Sequence, residues 1–140
     1  MIIFTELEVD SQWNELVNSF PSLFTFLNTH LLSASTFQCS SELGFRRAVD
    51  LEVAISRKGL PPFQILRVWV SLVQLIDESE KGIPLSRSLL SRGVYPSSYY
   101  RTFGRVFGQT WSDLRRMGLC RARANVILVW NAYRFRADVK

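Results

Sequence analysis

Apolar residues recur at helical spacing along most of the chain, and the runs are separated by proline, glycine or clusters of small polar residues. The opening IIFTELEV alternates apolar and polar through Ile3, Thr5, Leu7 and Val9, which predicts a short strand or an extended arm. Ser11 then reads as an N-cap, with Trp13, Leu16, Val17 and Phe20 on one face of a helix that Pro21 ends. Residues 22–32 predict a second, apolar helix, and SASTFQCSS after it a loop. Residues 42–56 carry two patterns. Phe45, Ala48, Val49 and Glu52 suit a helix capped by Ser40 or Ser41. Val49, Leu51, Val53 and Ile55 alternate with Asp50, Glu52, Ala54 and Ser56, as a strand would. RKGLPP is a break.

The clearest helix spans 62–80. Pro62 stands in its first turn, Ile65, Trp69, Leu72 and Ile76 form its apolar stripe, and Gly82 suits the position after its end. Beyond it the elements shorten. PLSRSLLSR, 84–92, predicts a short helix, and GVYP a turn. Ser97 or Ser98 caps a helix to about Phe107, broken by Gly108 and Gln109. Thr110 with Asp113 opens another over 111–117, closed by Gly118. Residues 122–135 are again double: Val126, Trp130 and Tyr133 suit a helix, whereas NVILVW has strand-like β-branching. The pattern as a whole predicts a mainly α, compact helical domain with a helix-turn-helix-like C-terminal module; 49–55 and 124–132 stay open between helix and strand, which leaves room for one or two short strands.

Composition fits this picture. The chain has 140 residues, 47% of them apolar, enough for one packed core. No apolar run approaches the roughly 20 residues that span a bilayer. The segment MIIFTELEVD has acids and no Lys or Arg, the reverse of a secretory leader. These features predict a soluble, cytoplasmic, nucleoid-associated protein. Cys39 and Cys120 are too few and too far apart for a disulfide framework or a metal site, and the single histidine, His30, lies in an apolar stretch. No metal and no cofactor is expected.

Charge changes the picture more. Residues 1–80 hold five Lys/Arg against ten Asp/Glu, a net of −5; residues 81–140 hold twelve against two, a net of +10. Ten of those twelve are arginine, whose planar fork suits phosphate oxygens and guanine edges. The division predicts an acidic, apolar core and association region over 1–82 and a basic nucleic-acid-binding region over 83–140, in one compact unit. Phe20, Leu23, Phe24, Phe26 and Leu27 offer more apolar surface than two short helices usually hide, which predicts core burial or an interface for a homo-oligomer or protein partner.

Helical spacing over 98–107 puts Tyr99, Phe103, Val106 and Phe107 on one side and Ser98, Arg101, Thr102 and Arg105 on another. The second set is the inventory of a recognition helix: arginine for guanine or phosphate, hydroxyls for either. Arg92, Arg115, Arg116, Arg121 and Arg123 are the candidates for phosphate contacts. Tyr95, Tyr99 and Tyr100 offer rings for stacking on unpaired bases.

The run Pro96-Ser-Ser-Tyr-Tyr-Arg-Thr-Phe-Gly104, followed by Thr110-Trp-Ser-Asp-Leu114 and Gly118-Leu119, resembles the homing-endonuclease-associated repeat, a small helical module. The resemblance covers this stretch alone and departs from the family pattern by the insertion RVFGQ. It implies DNA contact from the helix that holds Ser97 to Arg105, and not nuclease activity.

An enzyme needs a constellation that is hard to find. The chain has no phosphate-cradling glycine loop. Asp50 and Glu52 on one strand, with Lys58 nearby, are the one arrangement to weigh for a metal-dependent nuclease. The sequence therefore predicts a non-enzymatic DNA-binding protein, a small transcriptional regulator with an arginine-rich recognition helix. The alternative is a non-catalytic interaction protein that takes RNA or an acidic protein on its basic face.

Overall fold

Several helices start where a side chain or a proline can satisfy or dispense with a free backbone N–H. The computed structural model describes the backbone of residues 5–139 and the side chains of residues 5–134, and among them are nine α-helices, one 3-10 turn and no strand. Helix α1 (Glu6–Ser19) begins ahead of Ser11, because Thr5 is its cap. Thr5 Oγ1 accepts from the Glu8 N–H at 3.2 Å and the Glu8 carboxylate accepts from the Thr5 N–H at 3.4 Å. The expected strand or arm is therefore helix from Glu6, and Ile2, Ile3 and Phe4 lie outside the described residues.

Helix α2 (Pro21–His30) opens on its proline and runs into the 3-10 turn Leu31–Ser33. The expected loop at 33–41 holds α3 (Thr36–Glu42), because the Ser35 hydroxyl accepts from the Gln38 N–H and Cys39 is buried. Helix α4 (Ala48–Arg57) decides the first double pattern. Leu51 and Ile55, four apart, are buried, whereas Val49 and Val53 are exposed, so the alternation is not that of a strand. Helix α5 (Phe63–Glu80) follows Pro62 as expected and buries residues on most of its sides. Then come α6 (Leu85–Leu90), α7 (Pro96–Phe107), α8 (Trp111–Met117) and α9 (Leu119–Val139). The last of these makes 124–132 helical too.

Helix α5 is the central strut, with α9, α2, the 3-10 turn and α6 packed around it; α1 lies along α9, and α3 pairs with α4. One apolar cluster runs from Val9 and Leu16 through Leu72 to Val126 and Trp130, so the acidic and basic parts share a core. Phe20, Leu23, Phe24, Phe26 and Leu27 all enter it. Burying each such side chain is worth about 1.5–3 kcal/mol. Their burial removes the surplus apolar surface that suggested an association interface. Among the described residues no helix is long and apolar enough to cross a membrane.

Two side chains pin the irregular stretch after α2. The Arg67 guanidinium donates to the carbonyl oxygens of Leu32 at 2.8 Å and Ala34 at 3.1 Å. The Tyr99 hydroxyl oxygen accepts from the Leu32 N–H at 2.8 Å. Tyr99 belongs to α7, so this bond ties the candidate recognition helix to the acidic part of the chain.

Candidate nucleic-acid interface

The turn into α7 is set by backbone bonds. The Gly93 N–H donates to Leu90 O and the Val94 N–H to Leu89 O, both at 3.0 Å, the pattern that closes a helix through a left-handed residue. Gly93 supplies that residue at φ 71°. Leu89, at a position where a helix-turn-helix usually has a small residue, is fully buried. Pro96 takes the first helical position of α7 with Tyr95 as cap. Ser97 and Ser98, expected as caps, are therefore exposed in the first turn.

An aromatic cluster holds α7 in place. Phe103 packs edge-on to Tyr99 at 5.9 Å and stacks with Trp111 of α8 at 6.2 Å, while Phe107 meets Trp69 of α5 at 4.9 Å. The inserted RVFGQ has a place here: Arg105, Val106 and Phe107 form the last turn of α7, and Gly108 ends it in the left-handed conformation. Val106, expected on the packed side, is 48% exposed. Tyr99 is buried, so it offers no ring for stacking on a base, and burial pushes its phenol above the usual tyrosine range. Tyr95 and Tyr100 remain exposed.

The opposite side of α7 carries Ser98, Arg101 and Arg105, all exposed, with Thr102 half-buried at its edge. No carboxylate of a described residue is within ion-pair distance of either arginine. Arg115 and Arg116 are exposed in the last turn of α8, next to α7. Arg87, exposed on α6, is a candidate that the helical pattern alone did not single out. Its signal was in PLSRSLLSR, where Leu85, Ser88 and Leu89 turn inward and leave it outside.

Three of the arginines expected at phosphate are elsewhere. Arg92 is enclosed: its guanidinium meets both Glu78 carboxylate oxygens at 3.1 Å, and it donates to Ser88 O at 2.8 Å and Asn28 O at 3.5 Å. Arg123 lies over the Trp13 ring, 5.4 Å from its centroid, with Asp10 Oδ1 at 3.5 Å. Both are engaged with the acidic part of the chain, and a phosphate would have to displace a carboxylate. Arg121 is exposed but lines an open groove of about 820 Å³ with Glu6, Asp10 and Glu80, on the α1 side of the molecule.

The carboxylate arrangement weighed for a nuclease needs a strand, and the segment is α4. Residues two apart on a helix point roughly 200° apart. Asp50 pairs with Arg47 at 3.0 Å, and Lys58 Nζ sits over the Phe20 ring at 5.2 Å. No three His, Cys, Asp or Glu side chains among the described residues cluster as a metal site would require. His30 packs on Phe26, ring centroids 4.3 Å apart, with Glu42 Oε2 at 3.9 Å from its Nε2.

Compared with known proteins, the chain matches no family model, no curated protein and no solved structure.

Proposed function

We propose that this protein binds double-stranded DNA through α7 and acts as a small transcriptional regulator. The observation that carries the reading is the outer side of α7. Arg101 and Arg105 stand there without a carboxylate partner among the described residues, beside Ser98 and Thr102, on a helix fixed from behind by Tyr99 and Phe103. A helix held from behind, with unpaired guanidinium groups on its outer side, is suited to a groove, because its backbone is positioned before the ligand arrives. Arg101 and Arg105 contact base edges, with Ser98 and Thr102 assisting. Arg115, Arg116 and Arg87 contact flanking phosphates. The resemblance of 96–119 to a DNA-binding helical module supports the same helix.

Gel shifts with duplex DNA, single-stranded DNA and RNA of one sequence, at two salt concentrations, test the reading. Duplex is expected to bind best. With these three phosphate contacts, affinity should drop roughly 40-fold between 50 and 200 mM salt. Equal or tighter binding of RNA or single strands would replace this reading with that of a general basic interaction surface, and no binding at all would end it.

A further inference from the structure

Gly104 lies within α7, three residues before its end, where glycine costs up to about 1 kcal/mol relative to alanine. Nothing in the fold requires it. Unlike Gly108, whose left-handed φ of 66° explains its identity, Gly104 is in ordinary helical conformation, and a methyl group added there would meet nothing within 4 Å beyond its chain neighbours and the backbone of its own helix. It is exposed, between Arg101 three residues before it and Arg105 just after it. It also forms the floor of a shallow groove of about 400 Å³, walled by Tyr100, Gln109, Thr110 and Trp111. The groove's lining supplies a phenol, an amide and a hydroxyl and no acidic residue, and Arg101 and Arg105 are exposed beside it on the same helix. Charge complementarity therefore favours an anionic occupant.

We infer that Gly104 is a close-approach residue: one sugar-phosphate strand of a DNA duplex lies directly against the α7 backbone there, between Tyr100 and the two arginines. The inference rests on the proposed DNA reading and adds where the strand runs. The absent side chain is what lets the phosphodiester reach the helix surface, with Arg101 and Arg105 extending past it toward the base edges.

Gly104→Ala and Gly104→Leu separate this from its alternatives. Both replace glycine with better helix formers, so Gly104→Ala should raise Tm by roughly 1–4 °C. Binding should move the other way, with duplex affinity falling about tenfold for alanine and further for leucine. A variant that is more stable and binds duplex as well as the parent overturns the inference and leaves the DNA reading standing. If the parent itself fails to bind duplex, both fall. A loss confined to single-stranded DNA would also overturn it, because the groove would then hold an unstacked base against Tyr100.

Discussion

Arg92 and Arg101 show how surroundings divide one residue type between two tasks. Arg92 is surrounded by acceptors, Glu78 and two carbonyl oxygens, and its side chain is 20% exposed. Arg92→Ala would leave Glu78 half-enclosed without its partner, and we expect a loss of about 1–3 kcal/mol in urea denaturation. The DNA affinity of the folded fraction should not change. Arg101→Ala should do the opposite: stability stays within about 0.5 kcal/mol, while discrimination at one base position drops by about 1–3 kcal/mol in competition gel shifts. The double change Arg115→Ala, Arg116→Ala should weaken every duplex about equally. Cys39 gives a prediction in pH. Burial, with a smaller contribution from the Glu42 carboxylate, pushes its thiol from 9.0 up to about 12. Between those values the unfolded chain has released the proton and the folded chain keeps it. The contribution of Cys39 is therefore complete below pH 9 and is lost as pH climbs toward 12. Cys39→Ala should flatten that alkaline decline in urea midpoints; an equally steep decline in the variant would show that other groups cause it.

At the scale of elements, the N-caps account for what the pattern hid. Thr5→Ala should cost about 1 kcal/mol by removing the bond to the Glu8 N–H, measurable as a lower thermal midpoint. The helices at 62–80 and 98–107 were legible because apolar spacing and a closing glycine agreed, with a leading proline at the first; at the second Pro96 reads as part of a turn, and the helix begins two residues earlier. Helix α3 was not, because its cap Ser35 is one of a run of small polar residues that elsewhere signal a loop. Segments 49–55 and 124–132 carry β-branched residues whose local preference favours strand. Tertiary packing overrides it in α4, where Leu51 and Ile55 face inward, and in α9, where Val126, Ile127 and Trp130 do. At the candidate interface, spacing was enough to separate Ser98, Arg101 and Arg105 from Tyr99 and Phe103. It was not enough to reveal that Arg92 and Arg123 are occupied, since their partners Glu78 and Asp10 belong to other helices.

Over the whole molecule, the opposite charges of the two parts are partly spent on one another. Glu78, Asp10 and Glu15 meet Arg92, Arg123 and Arg134, so part of the net charge of the basic segment is neutralised across helix contacts. What remains exposed on α6, α7 and α8 is the portion available to a polyanion. The core also draws on both parts, so neither has a separate one. A chain ended after Gly118 would lose Val126, Ile127 and Trp130 from the cluster and uncover Val9 and Trp13; circular dichroism should show no cooperative melting. The pairing of α1 with α9 also carries a consequence for biosynthesis. During translation the earliest helix emerges from the ribosome long before the helix that covers it. Its apolar side must wait, open to chaperones or to neighbouring nascent chains, until α9 clears the exit tunnel, so completion of this fold is a late event rather than a stepwise one.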